Sequence, residues 1–134
     1  MKKSIFLLAL ASALLISCKG GQSEESHIST TMQSQDGFDV TILSDSTTPE
    51  GARQISVATC AAVCSSQIDI TVKDSVVVNV TYTNGCSGNT QGVSKLIEGM
   101  TVTEAISRLE GIDCGGRGTS CPDQLARALR FFLQ

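Results

Sequence analysis

From Ile68 onward the chain alternates. Ile68, Ile70 and Val72 are separated by Asp69, Thr71 and Lys73, and after the turn-like KDS, Val76, Val78, Val80 and Tyr82 alternate with Val77, Asn79 and Thr81. Successive strand side chains point to opposite faces, so this pattern predicts a β-hairpin with one apolar face. RQISVAT (53–59) is a candidate third strand, and GFDVTIL (37–43) reads as one short strand outside the compact domain, which is placed at 53–134. After the hairpin the period changes. Val93, Leu96, Ile97 and Met100 recur at i, i+3, i+4, i+7, with Gly99 near the helix end. TVTE (101–104) reads as a capping box, in which Thr101 covers the first amides and Glu104 reaches back. Ala105, Ile106 and Leu109 continue one face. A last helix starts at Pro122 with Ser120 as its N-cap, and Leu125, Ala128, Leu129, Phe132 and Leu133 form its apolar stripe. Arg127 and Arg130 fall on its other side. The fold class is α+β: a small antiparallel sheet of two to three strands followed by three helices packed on one face.

The first residues follow a different logic. Lys2 and Lys3 precede an apolar run over 5–16, of signal-peptide length and short for a permanent span. Leu15-Ile16-Ser17-Cys18 then resembles the lipobox of bacterial lipoproteins. That resemblance implies a leader over 1–17 cut before Cys18, whose sulfur is diacylated. Two or more acyl chains anchor a protein stably. Position 19 is Lys, not Asp, so no inner-membrane retention signal is carried over. The expected address is the cell envelope, lipid-anchored, at the outer membrane of a Gram-negative bacterium. Residues 18–52 are then the lipidated cysteine and a flexible tether, polar over 19–36 and turn-rich over 44–52.

Composition narrows the function. The net charge is −3, and losing Lys2 and Lys3 with the leader makes the mature chain more acidic. No basic run exceeds a few residues, so nucleic acid is not an expected partner. The expected partners are the membrane, through the lipid, and an unidentified protein. His27 is the only histidine and lies in the tether, so the domain offers no Cys–His or Ser–His pair. GCSGNTQG lacks the lysine and spacing of a phosphate-binding loop. Asp113 and Asp123 read as a turn residue and a first-turn helix carboxylate. No residue is assigned as catalytic. Aromatic residues are scarce and Trp is absent, and a small core of this kind usually needs a staple.

Five cysteines remain beyond Cys18: Cys60, Cys64, Cys86, Cys114 and Cys121. Cys86 sits in NGCSGN, Cys114 in IDCGGRG, and Cys121 opens the last helix, where the helix dipole favours a thiolate. Glycine-rich surroundings let the backbone bend around a shared centre. Four thiolates suit a tetrahedral zinc or an iron–sulfur cluster, and the best set is Cys64, Cys86, Cys114 and Cys121, with Cys60 left as a second thiol. Two structural disulfides fit the extracytoplasmic address, although five thiols cannot all pair internally. A redox-active pair is the third reading. Arg117, in the loop between Cys114 and Cys121, is a candidate anion contact.

NGCSGNTQGVSKLIEGMTVTEAISRLEGIDCGGRGTSCPDQLARAL resembles the TSCPD domain, named for the residues Thr119-Ser120-Cys121-Pro122-Asp123. With AAVCSSQIDITVKDSVVVNVTYT before it, the resemblance covers roughly 57–133. The family occurs as small stand-alone proteins and as the C-terminal domain of some ribonucleotide reductases. The resemblance assigns the family's cysteines to Cys64, Cys86, Cys114 and Cys121. A ribonucleotide-reductase-related role in deoxynucleotide synthesis is therefore an alternative function, resting on the family link alone because no catalytic barrel fits in this length. A disulfide-stapled envelope binding module is the other. A more distant likeness, over Cys86, the 99–105 segment and Cys121, is to iron–sulfur cluster assembly scaffolds. It implies a thiol-rich site at one end of the fold. The sequence departs from the family in its leader and in Cys60.

Overall fold

The computed structural model describes residues 31–32 and 34–134. The leader, Cys18 and His27 lie outside these residues. The sheet has five antiparallel strands in sequential order: β1 (Thr31–Met32), β2 (Val40–Thr47), β3 (Arg53–Ala58), β4 (Ser65–Lys73) and β5 (Val76–Asn84). Four of these are long, against the two to three expected. The added strand, β2, overlaps the short strand expected over 37–43, but it runs on to Thr47 and pairs with β3 as part of the sheet. Its polar C-terminal half hides it: only Val40 and Ile42 are buried, and a bulge between Ile42 and Ser44 breaks the alternation.

The β4–β5 hairpin turns at Asp74 and Ser75, both left-handed, with φ of 50° and 62°. Such a two-residue turn matches the twist of the flanking strands. Pairing aligns Ile55, Ile70 and Val80 in one row and Ile42, Val57, Ile68 and Tyr82 in another. These rows carry the sheet's half of the core. An irregularity between Thr71 and Val72 corrects the expected alternation on β5. It turns Val77 fully inward and leaves Val78 half exposed.

Three helices follow, as expected: α1 (Ser87–Ile97), α2 (Val102–Leu109) and α3 (Cys121–Leu129), with a 3₁₀ turn over Arg130–Leu133. On α1 the buried residues are Thr90, Ser94 and Ile97, while Leu96, expected in the stripe, is 74% exposed. Helix α2 has half of the expected capping box. The Glu104 amide donates to Thr101 Oγ1 at 3.2 Å, but the Glu104 carboxylate pairs with Arg108. Helix α3 is covered almost all round, because α2, the sheet and the 34–39 segment all close on it. Where it tightens into the 3₁₀ turn, each residue advances about 120° instead of 100°. That phase change brings Phe131 into the core and leaves Leu133, expected inside, 52% exposed.

The segment before β2 latches onto α3. Gln124 Nε2 donates to the Phe38 carbonyl at 3.0 Å, and the Arg127 guanidinium binds Asp36 and lies 5.9 Å from the Phe38 ring centroid. The ring also covers Gly118, at φ +77°, where an added Cβ would stand 2.9 Å from Phe38 Cε2. Gly116 has a similar φ of +76° but open space around it. Gly118→Ala is therefore expected to lower stability by about 1–2 kcal/mol. Gly116→Ala should cost less, and thermal unfolding of the two variants isolates the Phe38 contact. Equal losses would show that the ring yields freely.

Candidate functional site

Three loops converge beside the N-terminus of α3. Cys121 is the first residue of that helix. Ser120 caps it by accepting the Asp123 amide at 3.2 Å, and Pro122 occupies the first turn. The Cys121 side chain is buried, and the Ser65 hydroxyl donates to its sulfur at 3.2 Å. Cys86 is the N-cap of α1, reached through Asn84 and Gly85, which have φ of 64° and 95°. Cys114 lies in the 111–120 loop, wound around one carboxylate. Asp113 Oδ2 accepts from the Gly116 amide and Oδ1 from the Gly118 amide, each at 2.6 Å. Cys64 stands at the end of the β3–β4 loop, whose neck is closed by the Thr59 amide on the Ser66 carbonyl at 3.2 Å.

Cys64, Cys86, Cys114 and Cys121 line a single cavity of about 190 Å³, together with Arg117 and Ile112. Three of the four thiols are exposed and Cys121 is buried. Arg117 Nη1 lies 3.5 Å from Cys64 Sγ and 3.4 Å from the Ala62 carbonyl. The Cys64 contact also raises the Arg117 pKa. The charge of Cys64, burial and a hydrogen bond to Cys64 push the Cys86 thiol up, with smaller contributions from Cys114 and Cys121. The cavity thus mixes sulfur donors with one cation. Among the described residues, no three or more His, Cys, Asp or Glu side chains stand in metal-holding geometry, and the five described cysteines are free thiols. The donor chemistry fits a thiophilic metal, and closed ligation requires the thiols to rearrange from the geometry they have here.

Cys60 does not line this cavity. Its amide donates to Gln124 Oε1 at 2.9 Å on the other side of the loop. Sequence reasoning missed Ser65, one serine among many, which holds the Cys121 sulfur. It also missed Tyr82, whose hydroxyl is buried without a hydrogen-bond partner. Burial, and then the charge of Cys121, push that phenol well above its ordinary pKa.

The model of the TSCPD domain family matches residues 20–133. This chain belongs to the TSCPD domain family. No curated protein and no solved structure matches it. The five residues of the TSCPD motif divide by role. Ser120 and Pro122 start the helix, and Cys121 supplies a sulfur. Thr119 and Asp123 build the support behind it: Asp123 Oδ2 accepts from Thr119 Oγ1 at 2.7 Å and Arg127 Nε at 2.8 Å, while Oδ1 accepts from the Gly111 amide at 2.8 Å. Ser120, Cys121 and Pro122 thus line the cavity, and Thr119 and Asp123 brace the loop behind them. The family match begins well before residue 53, in keeping with β2 as part of the domain.

Proposed function

We propose that this TSCPD-domain chain is a lipid-anchored module of the cell envelope whose Cys64, Cys86, Cys114 and Cys121 bind a thiophilic metal, as zinc or an iron–sulfur centre, without catalytic activity of its own. The observation that carries this reading is the convergence of four cysteines, drawn from three separate loops and a helix start, on one small cavity. Thiolates are the donors that zinc and iron–sulfur centres take. Cys121 is the fixed donor, positioned by Ser65 and by the start of α3. Arg117 and the positive end of the α3 dipole offset the negative charge that four thiolates bring. When bound, such a centre cross-links the β3–β4 loop, the β5–α1 junction and the 111–120 loop, so its binding energy adds to folding energy.

The address rests on the sequence: diacylated Cys18 tethers the domain to the outer membrane of a Gram-negative bacterium. Its acidity favours a protein partner over nucleic acid.

Metal analysis of the reduced chain after reconstitution with zinc, and separately with iron and sulfide, tests the reading. The expected result is stoichiometric metal, lost in both Cys121→Ser and Cys114→Ser. Cys114 is exposed, so its variant removes a ligand without disturbing the core. Absence of bound metal under both conditions would sink the proposal.

A further inference from the structure

Gln124 lies on α3 one turn beyond Cys121, is 0% exposed, and has both polar side-chain atoms engaged. Its Oε1 accepts the Cys60 amide at 2.9 Å, while its Nε2 donates to the Phe38 carbonyl at 3.0 Å and to Thr119 Oγ1 at 3.3 Å. A primary amide suits this place because its oxygen accepts and its nitrogen donates twice. Two of the three ties are duplicated. Asp123 also holds Thr119, at 2.7 Å, and Arg127 also holds the 34–39 segment through Asp36. For the Cys60 amide, Gln124 is the one partner among the described residues.

That tie reaches the cavity. Residues 59–64 link β3 to β4 and end in Cys64. The Cys60 carbonyl accepts the Val63 amide at 3.4 Å, so the turn that delivers Cys64 starts at the residue Gln124 holds. Arg117 touches the far side of the same turn, at the Ala62 carbonyl and the Cys64 sulfur. That arginine is exposed, and a long exposed side chain gives up rotamer freedom to keep a contact. A buried, fully bonded amide is the stiffer of the two ties.

We propose that Gln124 is a positioning residue for the thiol site: it fixes the β3–β4 loop against α3 and thereby sets where Cys64 stands relative to Cys121. Gln124 itself does not line the cavity. It refers both sulfurs to one helix, since Cys121 opens α3 and Cys64 is held through a side chain of the helix's next turn. Placement of the loop does not depend on metal. Its consequence for ligation rests on the proposed function, in which Cys64 is one of four donors.

Two measurements on the full, reduced chain test this. In the metal-free protein, amide hydrogen exchange should be at least about tenfold slower at Cys60 than at its loop neighbour Ala61, whose amide has no partner among the described residues. In Gln124→Met, which fills similar space without hydrogen bonds, that difference should vanish while the β4 amides keep their protection. Comparable exchange at Cys60 and Ala61 in the wild type, or a difference that survives in Gln124→Met, would overturn the hold on the loop. The wild-type comparison needs no variant to fold.

The second measurement loads cobalt(II), whose sulfur-to-metal charge-transfer absorption grows with each bound thiolate. Per bound cobalt, Gln124→Met should lose about one quarter of the wild-type band, the share of one thiolate in four, and so should Cys64→Ser. The two changes together should lose no more than either alone, because both remove the same donor. A full band in Gln124→Met, or losses that add in the double variant, would overturn the route through Cys64. An amide that only stabilises the fold gives that result. If the wild type takes up no cobalt, the metal reading fails, and the exchange rates still decide whether Gln124 places the loop.

Discussion

Asp123→Ala is expected to destabilise the domain by about 3 kcal/mol, the low end of what breaking a buried ion pair costs. Asp123 is only 3% exposed, and its carboxylate is the shared acceptor for the Gly111 amide, the Thr119 hydroxyl and Arg127 Nε. Truncation strands three donors, of which the Thr119 hydroxyl is buried, and an unsatisfied buried group carries its own penalty. The loss stays at the low end because Arg127 keeps a second carboxylate, Asp36, with Nη2 at 2.7 Å from Oδ2. Urea unfolding measures the difference. A loss below 1 kcal/mol would mean that water enters and replaces the carboxylate.

The same residue sets a pH signature. Burial raises the Asp123 pKa, but hydrogen bonds from Thr119, Arg127 and the Gly111 amide outweigh it, and the folded value lies below the ordinary one. A carboxyl lowered by folding contributes stability that is fully present above its unfolded pKa, about 3.9, and is lost as pH falls through the folded value. Wild type should therefore weaken on acidification below about pH 4 more steeply than Asp123→Asn. Some slope remains in that variant because Arg127 first, then Ser34 and the Phe38 amide, hold Asp36 well below the usual carboxylate range.

The helices and the β4–β5 hairpin were legible in the sequence because their signals are local. Ser120 and Thr101 each stand before the helix they cap, and both caps are formed. Misreadings fell where a local period is broken by an event the period cannot announce. One irregular pairing opposite Thr71 exchanged the faces of Val77 and Val78, and one tightening after Leu129 exchanged Phe131 and Leu133. The extension of β2 past Leu43, and its place in the sheet, were illegible for a different reason. Asp45, Ser46 and Thr47 look like loop chemistry, but Asp45 sits in a strand because Arg53 on β3 pairs with it across the sheet. The convergence of Cys64, Cys86, Cys114 and Cys121 could be named as a set, since each lies at a loop or helix start. What the sequence could not supply is their inequality. Ser65 lies 56 positions from Cys121 and Arg117 lies 53 from Cys64, so the contacts that distinguish one buried sulfur and one cation-paired sulfur exist only in the folded chain.

Phe131→Ala is expected to cost more than any other single truncation in the domain, about 3–5 kcal/mol. Phe131 is 2% exposed and is the largest fully buried side chain. It belongs to the one core cluster that joins the sheet to α1, α2 and α3. No second fully buried aromatic can swing into the space, because Tyr82 and Phe132 only pack against the cluster from its margin. Its backbone is fixed as well: Arg53 Nη1 donates to the Phe131 carbonyl at 2.8 Å, tying the 3₁₀ turn to β3 and limiting how far the chain can collapse into the void. The cost of a cavity depends on that collapse, so the restraint places the loss in the upper part of the range. Leu133→Ala, two residues on and half exposed, should change stability by less than about 0.5 kcal/mol. Denaturant unfolding of the two variants side by side decides whether the chain ends in a 3₁₀ turn or continues as α-helix. In the α-helical phase the order reverses, Leu133 packs inward, and its truncation becomes the damaging one.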